Sequence, residues 1–439
     1  MTNAMRNVLV IAYYFPPMGL SGVQRTAKFV KYLPKYGWKP TVLTVGKTGY
    51  YAIDETLLAE VEQAGANIVR ASSLDANRLF KKQGVVKMPS ERMRKFLQFC
   101  GDSVFFPDTK IGWKSSALKV ASDLLQREPF DLIFATAPPQ TDFLIARELK
   151  HRFKLPVVLD YRDAWLEYPF KYYPTPVHRY AHYRMEKSVL KAADKVVVTL
   201  RSVKESILKH YLALDFQDVV IIPQGYDPDD LDTGRVSHPP RRNKLRIAHA
   251  GTFYAGRTPS VLLHALHNIF QASPTLRGRI ELTLIGNIRG EDQLLVNKLG
   301  LQNDVNFTGY LEHKECIGKL LESDLLWFVL DNLYQSPGKL YEYIGTRKPI
   351  LATVVEGHVK QLILESKAGV CLPLNDVGAH EQALLDLFAR YERNDLKPIP
   401  AEFARRYNRV QLTGELAKQF EALMDIDKNA LVRREERVA

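Results

Sequence analysis

Asn7-Val8-Leu9-Val10-Ile11-Ala12-Tyr13-Tyr14-Phe15-Pro16-Pro17-Met18-Gly19-Leu20-Ser21-Gly22-Val23-Gln24 is the stretch on which the reading of the fold turns. Its first six residues read as a strand, rich in Val, Ile and Leu and apolar from Val8 on without alternation, the pattern of a parallel strand covered on both faces. A loop carrying Pro and Gly follows. Ser21 and Gln24 then stand three apart as a capping box for a helix over 22–36 that stops at Gly37. Gly19 and Gly22 let the loop come close to a ligand, and the helix start at a strand's carboxyl end offers free amides to an anion or a sugar hydroxyl. An ordinary glycine-rich turn is the competing reading. Gly-x-Gly-x-x-Gly is absent, so this is not the dinucleotide fingerprint. The apolar run behind Arg6 imitates a signal peptide, but it passes straight into Pro16-Pro17 with no small-residue cleavage site and reads as a buried first strand.

Outward from this unit the pattern repeats. Val/Ile/Leu-rich runs at 40–45, 67–70, 131–135, 156–160, 195–199 and 219–222 alternate with amphipathic stretches. The segment 227–243 is rich in Asp, Pro, Arg and Gly, lacks an apolar period and reads as a linker. The alternation then restarts with runs at 245–249, 281–285, 305–307, 325–330, 349–353 and 369–372. A charged helical stretch from Glu402 ends in Arg433-Arg434-Glu435-Glu436-Arg437. The expected fold is α/β, with two Rossmann-like, doubly wound domains over 1–235 and 243–401 facing a central cleft. The tail 402–439 is expected to pack back toward the first domain.

The 439 residues suit two such domains, and 46% hydrophobic with 25% charged residues describes a globular chain. Only Cys100, Cys316 and Cys371 are present, without a Cys-x-x-Cys, which points to a reducing, cytoplasmic setting and away from zinc ribbons. No apolar run approaches the ~20 residues of a membrane-spanning helix. The formal charge is +12. Half of it falls between Arg78 and Lys114, where nine basic residues face Glu91, Asp102 and Asp108. That segment mixes Lys81, Lys82, Lys87, Arg92, Arg94 and Lys95 with Phe96, Leu97, Phe99, Phe105 and Phe106. It suits an anionic membrane surface at the inner face of the membrane. The competing reading is a solvated insertion.

Four further motifs stand just after strands. Asp160-Tyr161-Arg162-Asp163-Ala164-Trp165 sets two carboxylates around an arginine, costly to bury without polar partners. A structural salt bridge is its alternative. Thr136-Ala137-Pro138-Pro139 reads as a rigid turn beside it. In His249-Ala250-Gly251-Thr252-Phe253-Tyr254-Ala255-Gly256-Arg257, Gly251 allows close backbone approach and Arg257 offers a fork for phosphate. In Ser336-Pro337-Gly338-Lys339-Leu340-Tyr341-Glu342-Tyr343-Ile344-Gly345, Ser336 is expected to cap a helix that Pro337 opens and Gly345 ends. Lys339 and Glu342 then share a face, the lysine suited to a diphosphate and the glutamate to ribose hydroxyls. Asp227-Pro228-Asp229 looks like a metal motif but reads as an acidic turn. No His/Cys cluster suggests a metal.

Taken in order, these motifs resemble the family-4 glycosyltransferases of the GT-B fold, particularly bacterial enzymes of polysaccharide assembly. The resemblance also rests on Tyr14-Phe15-Pro16-Pro17 and Pro223-Gln224-Gly225-Tyr226-Asp227 and runs over nearly the whole chain. It implies metal-independent, cofactor-free, retaining transfer of a sugar from a nucleoside diphosphate donor, a UDP-sugar, to a glycan or lipid-linked acceptor. Gly251, Thr252, Arg257, Gly338, Lys339, Leu340 and Glu342 would hold the donor. Gly19, Gly22, Arg162 and Asp163 would face the acceptor and the sugar. Asp163, Arg257 and Lys339 would act in catalysis. The family's Glu-x7-Glu pair ends here at Glu342 but begins at Tyr334, and Arg257 stands for the family's lysine in the first loop of the second domain. A GT-B sugar-nucleotide epimerase would share the donor site without an acceptor site. A nucleic-acid-binding protein would suit the charge, but the basic run lacks an interleaved aromatic platform, and no nucleic-acid partner is expected.

Overall fold

The computed structural model describes residues 5–19, 21–46, 48–50, 52–74, 84–85, 91–168, 171–232, 243–253, 256–333 and 335–438. The chain forms two compact units, one of residues 1–224 with 409–439 and one of residues 225–408.

The first unit holds strands β1 (Arg6–Ile11), β2 (Trp38–Val45), β3 (Gly49–Tyr50), β4 (Asn67–Ala71), β5 (Gly84–Val85), β6 (Leu132–Ala137), β7 (Val157–Tyr161), β8 (Lys195–Val198) and β9 (Val219–Ile221). Seven of them form a parallel sheet in the order β4-β2-β1-β6-β7-β8-β9. Val8, Leu9, Val10 and Ile11 are fully buried, as a strand with helices on both faces requires. All seven apolar runs read from this half are strands, each within two residues of its expected bounds. The pair β3 and β5 was not anticipated, because two residues per strand leave no apolar run to detect.

The expected 22–36 helix is in fact the α-helix Ser21–Tyr32 followed by a 3-10 turn, Leu33–Tyr36. Pro34 accounts for the break, since proline at the start of a new turn lacks the amide the α-helix needs. Gly37 closes it at φ 79°, donating to the carbonyls of Leu33 and Pro34. The long helix Arg409–Val438 covers the same sheet: Phe420 is fully buried, 5.1 Å from the Trp38 ring and 5.6 Å from that of Phe134.

The second unit holds β10 (Leu245–Ala250), β11 (Ile280–Ile285), β12 (Val305–Gly309), β13 (Leu325–Leu330), β14 (Ile350–Val354) and β15 (Gly369–Leu372). They form a parallel sheet in the order β12-β11-β10-β13-β14-β15. In each sheet the winding reverses once, between β1 and β6 in the first and between β10 and β13 in the second. Loops leaving neighbouring strands on opposite faces open a crevice at such a point, at the strands' carboxyl ends. Among the described residues no helix is long and apolar enough to cross a membrane.

Candidate functional site

In the second unit the switch point brings the loop after β10 beside the loop after β13. Gly251 donates its amide to the Ile285 carbonyl at 2.9 Å. A Cβ on Gly286 would meet the Gly251 carbonyl oxygen at 2.5 Å, so glycine at 286 is what lets β11 end against this loop. Arg257 is nearly buried. Its Nε lies 3.0 Å from Asp331 Oδ1, just past β13, and its Nη2 donates to Gln335. Thr252 is half-buried in the same loop.

The helix after β13 departs from expectation at both ends. It runs Gly338–Thr346, with Pro337 as the residue before its first turn, and Ser336 lies outside it. Ser336 does not cap: its buried hydroxyl has no partner among the described residues. Gly345 does not end the helix either. Arg347 does, in the left-handed conformation at φ 59°. Gly345 is small for a packing reason, since a Cβ there would lie 2.4 Å from the Tyr226 ring. Leu340 is fully buried and its amide donates to Pro337, so this residue anchors the helix. Tyr343 ties the helix to the sheet, its phenolic oxygen accepting the Ala250 amide at 2.7 Å.

Lys339 and Glu342 do share a face, with Nζ 2.7 Å from Oε2. Burial works against the lysine's charge, but the Glu342 carboxylate and the Cys316 thiol outweigh it, so Lys339 titrates above its ordinary range. Cys316 Sγ is 3.8 Å from Nζ, and burial pushes this thiol up. Tyr334 and the 254–255 pair of the first loop lie outside the described residues. Asp227 caps the short Pro228–Leu231 helix by accepting the Asp229 amide at 3.0 Å, a turn device.

In the first unit the two carboxylates of the 160–165 motif part company. Asp160 is fully buried and pairs with Arg25, not with Arg162: Arg25 Nη2 is 2.8 Å away and Thr136 Oγ1 2.9 Å. Arg25 also donates to the Ile222 and Pro223 carbonyls. This is the structural salt bridge that was the motif's alternative reading, and its arginine comes from the first helix. Arg162 turns back on the rigid turn, donating to the carbonyls of Ala137 and Pro138. Its Nη1 is buried without a partner among the described residues and would lie 3.6 Å from a Cβ on Gly22. Gly19 uses its amide on the Ala52 carbonyl. Asp163 is half-buried and makes no hydrogen bond among the described residues. Burial pushes its carboxyl up to about 6, with Arg162 opposing.

Residues 21–230 match the family described as Glycosyltransferase Family 4, and residues 244–390 match Glycosyl transferases group 1. The chain belongs to the family-4 glycosyltransferases. No curated protein matches it in sequence. Among solved structures, this glycosyltransferase is similar to sucrose-phosphate synthase from Thermosynechococcus elongatus at a TM-score of 0.64 and 14% identity, over 96% of this chain and 100% of that one. It is similar to HepE of Anabaena in complex with UDP at 0.60 and 13%, over 95% and 100%. A putative UDP-N-acetylglucosamine 2-epimerase from Listeria monocytogenes gives 0.58 and 15%, over 96% and 97%. Its fold is GT-B.

Several residues at or beside the candidate sites escaped the sequence reading. Asp331 and Gln335 orient Arg257, and Asp331 carried a visible signal, a carboxylate directly after an apolar strand. Asp142 is fully buried and accepts the Tyr13 amide at 2.8 Å. Asp108 accepts the Thr141 amide at 2.9 Å and the Lys110 amide at 2.8 Å. Burial raises both carboxyls. Their partners are distant in sequence or on irregular loops, so no spacing announces them.

The two motif carboxylates separate by experiment. Asp160→Asn leaves the buried Arg25 without its counter-charge and is expected to lower stability by about 3–5 kcal/mol in denaturant titration. Asp163→Asn is expected to fold. Because the folded carboxyl titrates at about 6 and the ordinary value is 3.8, the folded wild type holds the extra proton. That contribution is complete below the lower value and lost as pH rises through the upper one, so the variant gains on wild type across this window. An Asp163→Asn chain as unstable as Asp160→Asn at every pH would make Asp163 structural.

Proposed function

We propose that this chain is a retaining glycosyltransferase. It moves a sugar from a UDP-sugar to a glycan or lipid-linked acceptor in cell-surface polysaccharide assembly, at the cytoplasmic face of the membrane. One observation carries the reading: the switch point of the second sheet gathers the Lys339–Glu342 pair and the oriented Arg257 at the carboxyl ends of β10 and β13. The UDP-bound HepE structure and another with UDP and glucose support this class of donor.

Departure of the nucleoside diphosphate dominates the barrier, and negative charge grows on its phosphate oxygens. Arg257 and Lys339 would stabilise that charge without a metal ion, because preorganised cations in a poorly hydrated site act strongly where charge develops. Glu342 would accept from both ribose hydroxyls while keeping Lys339 charged and aimed. On the first unit Asp163, with Arg162 behind it, would steer the acceptor hydroxyl or the developing positive charge on the sugar. An epimerase would share the donor half; the Asp163 site favours transfer to an acceptor.

Glu342→Ala is expected to weaken nucleotide-sugar binding by about tenfold or more, since each hydrogen bond to a charged group contributes roughly 1.5–3 kcal/mol. A donor analogue lacking the ribose hydroxyls should lose much less. Isothermal titration on the folded variant checks this, and equal losses for both ligands would reduce Glu342 to a support of its helix.

Asp163→Asn is expected to keep donor affinity and lose turnover in assays run with a chelator present. Normal turnover would remove Asp163 from the reaction.

The helix Glu91–Val104 leaves Met93, Phe96, Leu97 and Phe99 exposed, 60% in the case of Phe96. Lys81, Lys82 and Lys87 lie outside the described residues. We propose that this basic, apolar segment seats the protein on anionic lipid. Changing Phe96 and Leu97 to Ser, or Lys81, Lys82, Arg92 and Arg94 to Ala, should each release it from anionic vesicles in co-sedimentation. Unchanged binding in both would refute the docking.

A further inference from the structure

β10 carries His249 near its carboxyl end, and the contacts of this ring determine its chemistry. Nδ1 lies 3.0 Å from the Trp327 carbonyl oxygen. A carbonyl only accepts, so Nδ1 holds the ring proton and Nε2 holds the lone pair. Phe253 stacks on the imidazole at 4.5 Å between centroids and 17° between planes, and the Trp327 ring lies 5.3 Å away. A 180° flip of the ring would keep the stack but put a carbon where Nδ1 donates, so the hydrogen bond to Trp327 fixes the orientation. It also resists a second proton. Burial, then the nearby charges of Arg257 and Lys339, push the imidazole down to about 4, with the Trp327 carbonyl opposing.

Nε2 is consequently an atom that only accepts, and it has no acceptor's partner. It makes no hydrogen bond among the described residues, and the residue keeps 7% of its surface open. A core histidine of this same unit looks different. His380 uses both nitrogens, Nδ1 at 2.6 Å from the Asp376 carbonyl and Nε2 at 2.8 Å from Thr353 Oγ1. A Cβ on Gly251 would lie 3.4 Å from His249 Nε2, so the glycine leaves the approach uncrowded.

The complement of such an atom is a donor. Phosphate oxygens are acceptors and are repelled by the lone pair, while the two cations that lower the ring's basicity attract them. A group that carries a diphosphate and hydroxyls together satisfies all three side chains. We propose that His249 Nε2 accepts a hydrogen bond from a hydroxyl of the nucleotide sugar whose diphosphate lies on Arg257 and Lys339. The inference rests on the donor reading above and adds a residue that selects a hydroxyl in one orientation.

Two substitutions separate the acceptor from the packing. Asn can supply a donor to the Trp327 carbonyl in place of Nδ1 but has nothing at the Nε2 position, and Gln extends an amide oxygen to that position. His249→Asn is expected to weaken UDP-glucose binding about tenfold in isothermal titration, and His249→Gln to stay within about threefold of wild type. UDP serves as the second probe. Unchanged UDP affinity in His249→Asn assigns the hydroxyl to the transferred sugar and supports the inference; an equal loss on UDP, whose two ribose hydroxyls already donate to Glu342, would overturn it. Undiminished UDP-glucose affinity in folded His249→Asn, or equal losses in the Asn and Gln variants, would overturn it while the donor reading stands. A wild-type protein that binds neither probe would overturn both.

Discussion

Parallel strands cannot be joined by tight turns, so each must be followed by a crossover that lies over one face of the sheet. When the chain winds outward on one side of its first strand and then returns to the other side, two loops at neighbouring strand ends part in opposite directions. Both sheets here obey that constraint. In one, the loop after β1 meets the Ala137-Pro138 turn after β6, with the 160–165 segment one strand further on. In the other, the loop holding Gly251 and Arg257 meets the one leading to Lys339. The candidate residues of the second unit, with Gly19 and Gly22 of the first, lie at these two reversals, and Arg162 and Asp163 follow the next strand, β7.

Within that frame the sites are built by mutual restraint among charged groups. Arg257 is gripped by Asp331 and Gln335, and Lys339 is held on its own helix by Glu342. Cations on long side chains lose rotamer freedom when they bind a ligand, and prior orientation reduces that loss. The first unit follows a different logic. Its strongest pair, Arg25 with Asp160, is fully buried and cross-links the first helix, β7 and the segment after β9. That pair keeps the strand ends in place, while Asp163, three residues on, stays half-exposed and without a hydrogen bond among the described residues. Neighbouring carboxylates in one motif thus serve structure and site separately.

Glycines show the same division. The sequence reading gives Gly19, Gly22 and Gly251 close approach to a ligand and Gly345 the end of a helix. Gly345 is instead required by close packing against the Tyr226 ring, and Gly286 by the Gly251 carbonyl beside it together with its φ of 126°. The histidines divide likewise: His380 satisfies both nitrogens inside the second unit, while His249 satisfies one.

Thirteen of the fifteen strands among the described residues, the two-unit α/β architecture and the segments after strands that carry Gly22, Arg162, Arg257 and Lys339 were legible in the sequence. Hydrophobic burial imposes local periodicity, and local periodicity is written along the chain. The face shared by Lys339 and Glu342 was legible for the same reason, since three-residue spacing is a property of one helix. What sequence could not tell was which charge meets which across long separations. Arg25 and Asp160 are 135 residues apart, Arg257 and Asp331 are 74 apart, and His249 and Trp327 are 78 apart. Such pairings are made by strand order, and strand order is settled only when the whole sheet assembles, because it depends on non-local packing that no window of sequence contains.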